Sequence, residues 1–402
     1  MRIRGVVAAL ISVGLLSACQ SGGSAGRVTG LPVPSQGSSV SSPPASPSEP
    51  ASASPSASPS ASTSASSSAS ASASPSASGS KLPKPGNPKG RASVPAAARA
   101  ADTSDPTRTV GDGTPESCTS AAVVKAVAAG GVITFDCGPA PVTITMSATA
   151  KVRNSSAKVV LDGGGKVTLS GAGERRILYM NTCDDAQGSV NGPCNDIDAP
   201  RLTIQNMAFT KGNSSDDEGG GAVYVRGGHV KVVNSRFTAN RCARTGPDLG
   251  GAALRVFDQG GDQPVYVVGS TFTGGRCSNG SALSSIGVSW IVLNSYFSGN
   301  KAVGKGANPA REGTPGGGSG GAIYMDGDAI KLTLDGTVIE KNTAAEGGGA
   351  VFFVSNNRTG TMTVRNSTLR KNPSAVFETS GFPGIFFMGA GEPVVSGSTL
   401  RK

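Results

Sequence analysis

A short phrase returns along the second half of this 402-residue chain. It reads Asn234-Ser235-Arg236-Phe237, Asn294-Ser295-Tyr296-Phe297 and Asn366-Ser367-Thr368-Leu369. Weaker copies run Asn206 to Phe209, Gly269 to Phe272, Gly336 to Ile339 and Gly397 to Leu400. A second phrase sits between copies: Gly221-Ala222-Val223-Tyr224, Gly251-Ala252-Ala253-Leu254, Gly321-Ala322-Ile323-Tyr324 and Gly349-Ala350-Val351-Phe352. The apolar anchors fall at 209, 237, 272, 297, 339, 369 and 400, in steps of 28, 35, 25, 42, 30 and 31 residues. Self-similarity at such a period means a solenoid, each unit burying an apolar face that it cannot bury alone. Alternating runs such as Val230 to Val233 and Ala222 to Val225 read as strands, so the repeat is β.

Two columns flank the anchor. Three residues before it stand Asn206, Asn234, Gly269, Asn294, Gly336, Asn366 and Gly397. Three residues after it stand Gly212, Asn240, Gly275, Asn300, Asn342 and Asn372. Asn and Gly share cheap access to the left-handed backbone region, so each column predicts a turn at positive φ. Stacked Asn side chains then predict an amide ladder between coils about 4.8 Å apart.

These phrases resemble the repeats of chlamydial-type polymorphic outer-membrane proteins. More widely, residues 158–402 resemble the pectin-lyase-like right-handed β-helix proteins of actinobacteria. The resemblance implies an all-β fold, a single-stranded right-handed parallel β-helix, and carries no catalytic residue with it. Fold alone does not assign function.

Arg2 and Arg4 precede an apolar stretch, Gly5 to Leu16, too short to span a bilayer, which reads as a signal peptide over residues 1–18. Its end, Leu16-Ser17-Ala18-Cys19, resembles a bacterial lipobox and implies that Cys19 carries lipid. The expected location is the outer face of the cell membrane, lipid-anchored and reaching into or beyond the wall. Residues 19–115 are dominated by Ser, Ala and Pro with hardly any large apolar residue, so they predict a disordered tether. The β-helix is expected over residues 116–402. A short helix capped by Thr119 or Ser120 and stopped by Gly130-Gly131 covers its open N-terminal end.

Six cysteines remain, an even number in an exported chain, which favours disulfides. Cys242 and Cys277 each lie five residues after their Phe anchors, so they occupy one column in adjacent coils at a spacing a disulfide accepts. Cys183 and Cys194 bracket a Gly-Pro loop and form the second pair, leaving Cys118 with Cys137. With one histidine and no Cys-x-x-Cys, a zinc site is not expected.

Charge divides evenly. Residues 1–115 hold nine Lys/Arg and four Asp/Glu, and the rest holds 27 against 22, so each part contributes +5 to the net +10. With few aromatics among the basic residues, nucleic-acid binding is not expected.

Insertions fall mostly at one junction, between the anchor strand and the Gly-Gly-Ala strand, so the loops stack on one flank. In repeat proteins that flank is often the binding face. It carries Arg241, Arg244, Arg276, Lys301, Lys305 and Arg311, with Asp216, Asp217 and Glu218 as an acidic cluster. A polysaccharide lyase needs cations against a uronate carboxylate and a base, roles open to Arg241, Arg244, Lys301, Lys305 and Arg311. A hydrolase needs two carboxylates, open to Asp216, Asp217 and Glu218. No cofactor is called for, and the acidic cluster is the one place for a Ca²⁺ ion. Asn181 to Asp185 resembles polygalacturonase phrases, but the accompanying Gly-His-Gly and Arg-Ile-Lys phrases are missing. His229 reads as a turn or strand-start residue, Trp290 as buried, and Tyr224, Leu254, Ser284, Tyr324 and Phe352 as one core column. The favoured function is a surface module binding polysaccharide through the loop flank, without evident catalysis. The alternatives are a polysaccharide lyase, preferred over a glycoside hydrolase, and an adhesin or structural surface protein.

Overall fold

A computed structural model describes residues 82–402. Cys19, the signal peptide and most of the expected tether lie outside the described residues. The chain winds as a right-handed parallel β-helix, every sheet pairing being parallel and in register from coil to coil. One turn runs through His229–Val233 in a first sheet of ten strands, Arg236–Thr238 in a second of nine, Arg241–Cys242 in a third of five and Leu254–Phe257 in a fourth of eight. Val265–Val268 then pairs with His229–Val233 and begins the next turn. Alternation decides what faces inward: Val230 and Val232 are buried in the core while Lys231 between them points out.

The first Asn/Gly column behaves as expected. Asn206, Asn234, Gly269, Asn294, Gly336, Asn366 and Gly397 all have φ between 47° and 61°. The second column differs. The left-handed residue comes one position earlier, at Lys211, Ala239, Gly274, Gly299, Lys341 and Lys371. That residue makes the corner, and the Asn after it turns its amide into the wall. Asn342 Oδ1 accepts from Asn300 N and Nδ2 at 3.0 and 2.8 Å, while its Nδ2 donates to Asn372 Oδ1 at 3.0 Å. The ladder is fully buried, which a polar amide tolerates only when its donors and acceptor are satisfied. Ser235, Ser270, Ser295, Thr337, Ser367 and Ser398 form a second polar ladder, each hydroxyl donating two residues back along its own coil. Between the ladders the rings of Phe209, Phe237, Phe272 and Phe297 stack at 5.0, 4.9 and 4.8 Å.

The helix Ser120–Ala129 covers the N-terminal end. Thr119 Oγ1 accepts from Ala122 N, and Gly130 ends the helix at φ 68°. All three expected disulfides are present. Cys118–Cys137 joins the segment before the helix to the end of the strand after it, Cys183–Cys194 closes a loop, and Cys242–Cys277 links successive coils with Cα atoms 4.8 Å apart. This last bond closes 35 residues. By loop-closure entropy, replacing both cysteines by serine should cost about 3–4 kcal/mol of stability, measurable by guanidinium unfolding. A loss below about 1 kcal/mol would refute that account.

Residues 82–115 depart from the expectation of a tether, because they pack on the β-helix as a strap. The segment runs out along the turn column and back across the first sheet. Outbound, Gly86 N donates to Thr271 Oγ1, and Asn87 bonds Asn294 and Gly336. Returning, the Asn294 amide holds both backbone groups of Ala92 at 2.8 and 2.9 Å. Gln205 holds Ala101 in the same way at 2.7 and 3.0 Å. Ala92, Val94 and Ala98 cover Val233, Val268 and Leu293.

The column thought to be core is also different. Register places Tyr179, Tyr224, Arg255, Ser284, Tyr324, Phe352 and Phe386 together, so Arg255 rather than Leu254 belongs in it. These side chains alternate with the inward set and so stand outside the wall. All but the half-buried Phe386 are buried, because loops cover them.

Candidate ligand-binding flank

The third sheet consists of two-residue strands, too short to show in the sequence as strands at all. One residue of each faces in and one out. Inward are Ser214, Cys242, Cys277, Ala302 and Ala344. Outward, in register, are Asn213, Arg241, Arg276, Lys301 and Thr343. Three cations therefore project from three consecutive coils at steps of about 4.8 Å. With Arg244, Arg241 and Arg276 border a depression of about 450 Å³ that Asn213 and Asn240 also line. Among the described residues, no ion pair engages Arg241, Arg244, Arg276 or Lys301. Like charges at this spacing repel by roughly 1 kcal/mol per pair in water, and an anion along the row would relieve that repulsion. The Cys242–Cys277 bond lies directly beneath and joins two of the three coils.

Lys305 and Arg311 belong to a different feature. The long loop folds as a hairpin in which Lys305 and Ala307 pair with Gly316 and Gly317. Arg311 clamps it with two bonds of 2.8 Å to the Glu346 carboxylate, which Gly306 N also reaches. The Arg311 contact holds Glu346 below the ordinary glutamate range. A carboxyl depressed on folding stabilises above its unfolded value, and that stabilisation disappears as pH falls through the folded value. The hairpin is therefore expected to become protease-sensitive only once pH falls below the ordinary glutamate range, and Arg311→Ala to be sensitive already at neutral pH. Equal cleavage of both proteins at neutral pH would contradict this.

The acidic cluster is tied up as well. Asp216 and Glu218 pair with Arg176 at 2.8 and 3.4 Å, and that guanidinium lies over the rings of Tyr179 and Tyr224. Asp217 is exposed. No group of three or more metal-ligating side chains converges among the described residues. His229 bonds Asp198, which Arg201 also holds, and Trp290 is buried with its indole N–H on Ser285. Asn181 and Asp184 serve local turns: Asn181 accepts from Cys183 N, and Asp184 caps the 3₁₀ turn Asp185–Gln187.

One polar cluster escaped the sequence reading, because four separated segments build it. Asn308 Nδ2 reaches Asp248 Oδ1 at 2.6 Å, the Tyr324 hydroxyl at 2.7 Å and Asp326 Oδ2 at 3.1 Å. Asn356 also donates to Asp326. Burial pushes Asp326 up and the fully buried Arg255 guanidinium beneath it down to about 10. Only the length of the inserted loops hinted that such a meeting could occur. The amide of Asn308 fills the space between the two carboxylates, where a hydrolase would hold its substrate oxygen.

Among known families, the Chlamydia polymorphic membrane protein repeat matches residues 294–326. That span covers one repeat phrase, the hairpin loop and the following Gly-Gly-Ala strand. No curated protein and no solved structure matches the chain. No helix among the described residues is long and apolar enough to cross a membrane.

Proposed function

We propose that this is a cell-surface β-helix that binds an acidic polysaccharide along the Arg241–Arg276–Lys301 row. The single observation carrying this reading is that row: in-register cations one coil apart, with no carboxylate bonded to them among the described residues. A polyuronate offers anions repeated along an extended chain, the complement of cations repeated along a solenoid. The repeat match supports a surface location. The lipobox-like ending at Cys19, preceded by a signal-like stretch, supports export and lipid anchoring. The resemblance to pectin-lyase-like proteins fits the coil but adds no catalytic group. The occupied Asp248–Asn308–Asp326 cluster favours binding over hydrolysis.

The test is calorimetric titration with polygalacturonate and alginate. Replacing Arg241, Arg276 and Lys301 together by alanine should weaken binding about 30-fold, from roughly 0.5–1 kcal/mol per exposed charge. Binding should also fall between about 0.01 M and 0.15 M ionic strength. Unchanged affinity in the triple variant would sink the proposal. Growth of unsaturated-uronide absorbance in the same samples would instead make the protein a lyase.

A further inference from the structure

A second concavity lies on a different face, the outer side of the first sheet. Its floor is a continuous register of outward residues: Val132, Val160, Thr203, Lys231 and Tyr266. Four coil steps make it roughly 19 Å long, and it encloses about 780 Å³. One wall is the returning strap, at Ala97, Ala101 and Asp102. Lys231 Nζ fastens that wall by donating to the carbonyls of Ala97 and Arg99 at 3.3 and 2.8 Å. The opposite wall is built from loops cross-linked to one another and to the sheet. Asp198 holds His229 and Arg201, and Gly261 N donates to Asp196 at 2.7 Å. Both walls are thus held by the protein's own hydrogen bonds, as in most small-molecule sites.

The chemistry of the groove narrows its occupant. Arg201 and His229 are engaged by Asp198, Lys231 by the strap and Asp196 by Gly261. Lys158 is the lining cation with no bonded partner among the described residues, so the groove suits a largely neutral ligand with at most an isolated acidic group. An extended peptide fits poorly. The floor strands already use their backbone groups in parallel pairing on both sides, and a buried peptide backbone needs partners of its own. The strap obtains them from the Gln205 and Asn294 amides, whereas the one amide side chain lining the groove, Gln263, sits on the loop wall and donates to Gly261. A sugar ring has no such requirement. Val132, Val160 and Thr203 are buried in the floor, so a ring stacks its apolar face on the half-buried Tyr266, while rings further along the groove offer hydroxyls to Lys158.

We propose that this groove is a separate binding site for a short stretch of largely neutral oligosaccharide, stacked on Tyr266. It differs in face and in charge from the cation row, so either site can fail without the other. The test uses the full chain with maltotetraose, cellotetraose, mannotetraose and chitotetraose as probes, followed by calorimetry and amide chemical shifts. At least one probe should bind and shift the amides of Val160, Thr203 and Lys231, leaving those of Arg241 and Arg276 unmoved. Tyr266→Ala should weaken binding about tenfold or more, while Tyr266→Phe, which keeps the stacking ring, stays within about twofold. The Arg241, Arg276 and Lys301 triple variant should bind the probe as the unmodified chain does. Tyr266 also packs beneath the strap, so if Tyr266→Ala does not fold, the wild-type shift map decides. Binding by none of the four probes, shifts confined to the loop flank, or displacement by polygalacturonate would each overturn the proposal.

Discussion

Phe272→Ala is expected to lower the unfolding free energy by about 3–5 kcal/mol. Phe272 is completely buried, and its ring lies 4.9 Å from Phe237 and 4.8 Å from Phe297, tilted by only 6° and 7°. Truncation removes one transferred ring and opens a cavity between two others that the rigid coils above and below prevent from closing. Phe272→Leu retains most of the buried area but loses both stacking contacts, so it should cost about 1–2 kcal/mol. Guanidinium unfolding followed by circular dichroism measures both. In a solenoid each coil interacts mainly with its neighbours, so the damage should appear first as faster hydrogen exchange in the coils of Phe237 and Phe297. A loss below about 1 kcal/mol for the alanine variant would show that the stack does not hold the coils together.

The second large effect belongs to the amide ladder. Asn342→Ala strips partners from the Asn300 backbone N–H, the Asn300 side chain and the Phe297 carbonyl, all of them buried. Each orphaned group costs about 1–3 kcal/mol, giving at least about 3 kcal/mol in all. The same column supplies a contrast. Gly275 interrupts the ladder, and by residue type alone Asn would complete it. A Cβ there would stand 1.9 Å from the Ser281 carbonyl oxygen, so Gly275→Asn is expected to destabilise rather than extend the ladder. Increased stability in that variant would refute the packing described for this corner.

Asn and Gly in the two columns marked both corners, but composition could not separate their roles. In one column the residue itself is left-handed. In the other, the preceding residue makes the bend and the Asn supplies a buried amide. Both arrangements select the same pair of residue types, so only coordinates distinguish them. The Cys242–Cys277 pair was legible because repeat register turns a sequence offset into a spatial column; the other two pairs followed from a bracketed loop and from elimination. The cation row was legible only as a set of flank charges. Its register emerged because the third sheet has two residues per strand, too few for alternation to be seen. Arg311 was counted in that set and left it, since its partner Glu346 lies one coil away on a different loop.

The strap was not legible at all. Its residues are small and polar, and composition alone reads such a segment as tether. What orders it is the set of groups it meets, Gln205 and Asn294 above all, each presented by a coil of the β-helix. The sequence by itself determined the coil, its corners, the Cys242–Cys277 link and the flank that carries the loops, because each of these follows the period of the chain. Only the tertiary structure decided which charges stand unpaired, where the strap lies and what the groove beside it can hold. Those depend on contacts between segments far apart in the chain, and no periodicity encodes such contacts.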